Sequence, residues 1–210
     1  MRRSRLSPTA KIILLVTGLA ALYGGWFAGH EYAKMRFQPQ ALLLYSSPQS
    51  LPALPLHDHL GNPVDLSQPA GWRLLLPLSS REASQRQLLQ HLSRLHNRLA
   101  PSPELHREIR YLLIPADPQL SDREALGTLL HGYSHNFFAL LGDEQTLTTL
   151  HHHPALQPRT ASEEQPTIRF TDGGVLLLMR PNGQIIGEFP RLSDPQLIAD
   201  DLQRLFALYR

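Results

Sequence analysis

Apolar and polar positions along the chain fall into stretches of distinct period. From Ile12 to Ala28 the run is apolar and uncharged. It covers about 17 residues, which at about 1.5 Å rise per residue nearly spans a hydrocarbon core of about 30 Å. A second apolar run, Trp72 to Leu78, is short, is introduced by Gly71 and is followed by Ser79, Ser80, Arg81 and Glu82. It predicts a strand covered on both faces, with Pro77 marking a stop or bend, that delivers a polar loop. Behind the loop, Leu88, Leu89, Leu92, Leu95 and Leu99 recur at three-and-four spacing, predicting a one-sided helix from about Arg81 that Pro101 and Pro103 end.

The remaining elements follow in alternation. Leu54 opens a hairpin around Gly61-Asn62-Pro63, and Ile109 to Ile114 is a strand running into Asp117-Pro118. A helix is predicted from Asp122 to Leu130, a short strand from Phe137 to Leu141, and a helix capped by Asp143 through Leu150. The segment after His151-His152-His153-Pro154 has loop composition. Ile168 to Phe170 and Val175 to Met179 read as strand, Pro181-Asn182-Gly183 as a hairpin turn, and Gln184 to Phe189 as the returning strand. A final helix, Asp194 to Tyr209, carries Leu197, Ile198, Leu202, Leu205, Phe206 and Tyr209 on one face, with Pro195 in its first turn. A parallel pair joined by a helix, then a late antiparallel hairpin and a covering helix, predicts an α/β thioredoxin-like fold: a central mixed sheet flanked by helices.

Charge adds a topology. The formal net charge is +2, from 20 basic and 18 acidic residues, and Arg2, Arg3, Arg5 and Lys11 concentrate the basic excess before the first apolar run. The positive-inside rule then predicts a cytoplasmic basic segment (residues 1–11), a single transmembrane helix (12–29), a Pro-containing tether (30–53) and an exported domain (54–210). This places the protein in the inner membrane with its domain in the periplasm. A cleaved signal peptide has the same polarity, but no small-x-small site directly follows the apolar run. Within the tether, Ala41 to Tyr45 is apolar enough to pack on the domain or on a membrane surface. The basic cluster is not a nucleic-acid patch. The chain has no cysteine, which excludes disulfides, thiol redox catalysis and thiolate metal sites.

Five blocks, in order and spacing, carry a family likeness: the anchor, LPLHDHLGNPVDL before Gly71-Trp72, IPADPQLSDREAL after the second core strand, LLGDEQTL, and VLLLMRPNGQIIGEF before the last helix. The chain resembles the Sco/SenC family of thioredoxin-like cytochrome oxidase assembly proteins. The resemblance implies a copper site of two cysteines in a C-x-x-x-C loop and one histidine before the late hairpin. Those positions fall here near Arg81 and Gln85 and near Asp172, so none of the three ligands is present. Copper(I) prefers soft sulfur donors, and Ser, Arg and Glu do not replace them. The implied role is therefore non-catalytic, with no cofactor: a membrane-anchored scaffold acting by contact with cytochrome oxidase subunits or assembly factors of the respiratory chain.

Eleven histidines supply the competing expectation, a periplasmic protein that binds or delivers copper or zinc. His151, His152 and His153 are the densest group, and His57 and His59 would share one side of a strand with Asp58 pointing away. The plainer readings are a solvated helix end and a polar hairpin edge. His131 and His135 lack the glutamate of an H-E-x-x-H zinc protease. His91, His96 and His106 read as solvated, and no base accompanies Ser79 or Ser80.

Overall fold

The computed structural model describes residues 14–26, 37–78, 82–117, 122–156, 175–190 and 193–209. The chain divides into two compact units, residues 1–38 with 204–210 and residues 39–203. In the first, helix α1 (residues 14–26) presents Leu14, Leu15, Leu19, Leu22, Tyr23 and Trp26 as exposed apolar surface. Among the described residues no helix is long and apolar enough to cross a membrane. The predicted span also takes in residues 12, 13 and 27–29, which lie outside the described set.

The second unit is built on strands β1 (Leu43–Ser50), β2 (Leu56–Asp58), β3 (Pro63–Val64), β4 (Arg73–Leu78), β5 (Arg110–Pro115), β6 (Phe137–Leu141), β7 (Val175–Met179) and β8 (Gln184–Pro190). They join in the order β1-β8-β7-β4-β5-β6-β2-β3. Strands β4, β5 and β6 are parallel, and every other neighbouring pair is antiparallel. All six residues of β4 are buried, as its unbroken apolar run requires of a central strand.

Helices close both faces. Helix α2 (Glu82–Arg98) buries Leu89, Leu92 and Leu95, with Leu99 just beyond its end. His96 of α2 meets the Tyr111 ring edge-on, and Tyr111 is the register partner of Leu74, so α2 covers the Leu74 face. Helix α6 (Pro195–Tyr209) lies beside α2, its Gln203 amide donating to the Arg98 carbonyl. On the opposite face, Leu75, Leu112 and Leu177 pack with Leu147 and Leu150 of α5 (Glu144–His152) and with the Leu56 and Leu66 arms of the hairpin. Side-chain alternation along β4 sorts the two cores.

Local signals act where expected. Asp143 and Asp122 cap α5 and α4 (Arg123–Leu130), accepting from Thr146 and Glu124 N–H. Gly183 turns the β7–β8 hairpin at φ +82, and a Cβ there would sit 2.8 Å from the Ser67 carbonyl oxygen. Between α2 and β5, where a direct entry into the strand is predicted, the structure inserts α3 (Pro103–Glu108). Pro103 opens it, a position where a missing N–H is harmless.

The segment read as a tether is different from expectation. The compact unit begins at Pro39 rather than Leu54, and β1 pairs along β8 with a register shift between Leu44 and Gln49. Leu42 and Leu51 are buried in the core. Asp201 of α6, itself fully buried, receives the Gln40 N–H on both carboxylate oxygens at 2.9 Å, the Ala41 N–H at 2.8 Å and the Leu42 N–H at 2.9 Å. Three successive donors converge on this one side chain, and removing it leaves them, the buried Leu42 N–H among them, without that acceptor. Asp201→Ala is expected to destabilise the protein by about 3 kcal/mol, read as a lower urea midpoint with unchanged slope, whereas Asp200→Ala, one residue earlier, leaves the midpoint within about 0.5 kcal/mol.

Candidate functional site

Strands β4 and β5 end together. Leu78 and Pro115 are in register, and Ala116 N–H donates to the Leu78 carbonyl at 2.9 Å. The loop after β4 leads to α2, whose first described turn includes Gln85, and β7 runs antiparallel to β4 so that Val175 opens at this same edge. In an open α/β sheet this carboxyl edge is where a reactive loop is presented. Arg81 and Asp172, the other two positions singled out from sequence, lie outside the described residues.

His151 reaches the same edge. Its ring is half-buried and hydrogen-bonds the Pro115 backbone, and desolvation lowers its pKa despite that contact. His152 Nδ1 lies 2.8 Å from the Thr148 carbonyl, and His153 Nδ1 accepts the Ala155 N–H at 3.2 Å. The three consecutive imidazoles thus go to three different backbone groups, on β5, within α5 and just beyond it, because neighbouring side chains point apart. His151 and His152 lie in the last turn of α5 and His153 is its C-cap, the helix end that is the plainer reading.

His57 and His59 are not paired on a strand either. β2 ends at Asp58, leaving His57 exposed and His59 in the turn, where Nδ1 accepts the Ala139 N–H at 3.4 Å and the ring tilts against Phe138. Burial lowers the His59 pKa, and Asp58 partly offsets this. Asp58 points away from exposed His57, as expected, and is buried; it accepts from Leu60 N–H, Asn62 N–H and the Asn62 amide, which ties the hairpin. His131 follows the last residue of α4, so it shares no helical face with His135. Among the described residues no three His, Asp or Glu side chains converge as a metal group.

The polar cluster that sequence reasoning missed lies at the other end of the parallel strands. His96, read as solvated, is 6% exposed and stacks on His106 with ring centroids 3.9 Å apart. Its Nε2 lies 3.2 Å from Ser134 Oγ, and Tyr111 stacks on Phe137 beside it at 4.6 Å. Fully buried Asn136 donates to the His106 and Ile109 carbonyls and accepts the Tyr111 N–H on its own carbonyl. Desolvation, then the neighbouring His106 and His135, push His96 down to about 4.

A model of the SCO1/SenC family matches residues 87–207. The chain belongs to the SCO1/SenC family. Its fold is similar to that of yeast Sco1 with copper bound, at 17% identity and a TM-score of 0.60 over 76% of this chain and 90% of that one. It is similar also to copper-bound ScoI of Bradyrhizobium japonicum, at 16% identity and a TM-score of 0.57 over 74% and 99%. A third similar structure is BsSco, described as having a disulfide switch and as a member of the Sco family of cytochrome c oxidase assembly proteins. It shares 18% identity, with a TM-score of 0.54 over 80% and 97%. A comparison with curated protein sequences finds no match. Against this family background the chain keeps the strand, the helix and the carboxyl edge but has no cysteine with which to furnish it.

Two measurements follow. Because each imidazole of residues 151–153 is held by backbone, His151→Ala/His152→Ala/His153→Ala is expected to lower stability while leaving the Cu²⁺ affinity in calorimetric titration unchanged; a clear loss of affinity would restore the histidine site. For His96, the folded pKa of about 4 lies below the unfolded value of 6.5. The unfolded chain therefore takes up a proton in that interval that the folded protein refuses, so stability is full above pH 6.5 and is lost as pH falls toward about 4. The urea midpoint should drop across this window, and less steeply in His96→Gln.

Proposed function

We propose that this SCO1/SenC protein is a membrane-anchored, non-catalytic member that acts by protein contact in the assembly of a respiratory cytochrome oxidase or in its regulation. The observation that carries the reading is a family scaffold in a chain of 210 residues without one cysteine. Thiolate is the nucleophile of thiol exchange and a preferred soft ligand of copper(I), and a chain without cysteine does not supply it. What remains is shape and surface. The family relation, with BsSco described as one of the cytochrome c oxidase assembly proteins, points that surface toward oxidase subunits or assembly factors. The basic residues before the apolar run at Ile12 support a helix over residues 12–29 with its amino terminus in the cytoplasm and the domain in the periplasm.

The test pairs genetics with capture. Cross-linking the full-length, affinity-tagged chain in its own membranes is expected to recover an oxidase subunit or assembly factor, and deleting the gene is expected to lower oxidase activity, with restoration by the intact gene. Capture of no such protein, together with normal oxidase activity in the deletion strain, would refute the reading.

A further inference from the structure

The His96 cluster borders a cavity of about 390 Å³ between the C-terminal half of α2 and the turns that lead into β6. It lies at the amino ends of β5 and β6, the edge opposite to Leu78 and Pro115. Small-molecule sites start at about 300 Å³, with apolar walls and a few placed polar groups.

One wall is aromatic. Tyr133 and Phe137 stand 6.0 Å apart at 38°, and His96 meets Phe137 edge-on at 6.2 Å. Besides His96, the polar lining comes from Gln90, Ser93, Arg94, Asn97 and Ser134, and no carboxylate lines the cavity among the described residues. His96 Nδ1 is buried without a hydrogen-bond partner among the described residues.

We propose that this cavity is a binding site for a small aromatic carboxylate, its ring against Tyr133 and Phe137 and its carboxylate at the Arg94 guanidinium. Arg94 is the charged residue of the lining at neutral pH, because burial keeps His96 unprotonated there. A single cation beside a π wall, with no opposing acid, suits a monoanion carrying a ring. Guanidinium binds carboxylate through a two-pronged, charge-assisted contact. The site is separate from the carboxyl edge of the sheet and stands whether or not the protein acts in oxidase assembly.

The test is calorimetric titration of the full-length protein at pH 7 with 4-hydroxyphenylacetate, its uncharged amide, and acetate. Saturable binding of 4-hydroxyphenylacetate is expected, with the amide and acetate at least about tenfold weaker. Arg94→Gln should weaken the acid by at least about tenfold. Gly132 lines the cavity, and a Cβ there meets nothing within 4 Å, so Gly132→Phe should fill the space and abolish binding while thermal unfolding shows the variant folded. No saturable binding to the wild type, equal binding of acid and amide, or binding that survives both substitutions would overturn the assignment.

Discussion

Six consecutive buried residues in β4 impose the condition that everything else meets. A strand with no wet face must have a neighbour on each edge and a cover on each side, or its backbone and its leucines are left in water. β5 and β7 supply the edges. α2 covers one side and α5 with the hairpin covers the other. The end of β4 at Leu78 is thereby fixed at a sheet edge whatever residues follow it.

Polar side chains divide between the two edges of the sheet. The dense histidine run terminates α5 and satisfies backbone at the carboxyl edge. The most buried histidine, His96, is at the opposite edge, where Asn136 draws the α3–β5 junction and the turn before β6 together. Desolvation there outweighs any tendency of His96 to charge, so His96 behaves at neutral pH as an aromatic and hydrogen-bonding group and not as a cationic one.

Elements with a local cause were legible in the sequence. The β4–α2 unit, the Asp122 and Asp143 caps, the Pro-Asn-Gly hairpin and the Pro195 helix start are each set by residues within one turn of where they act. Features with a distant cause were not. β1 carries Pro48 and a largely exposed pattern, so nothing in its own residues distinguishes an edge strand from a tether. Its anchor, Asp201, comes from about 160 positions away. His96 looked solvated because its burial is made by His106, Tyr111 and Phe137, which arrive from three other segments. His59 was misjudged for the opposite reason: a strand pattern was extended one residue too far, into a turn that the Asp58 carboxylate organises.

The Asp201 clamp sets a mechanical property. Three successive backbone donors at residues 40–42 converge on one carboxylate of α6, so the clamp joins the start of the 39–203 unit to one of its last residues. The chain before β1 and the helix that holds it therefore open as one event rather than two, which makes the edge of the sheet only as labile as the helix beneath it.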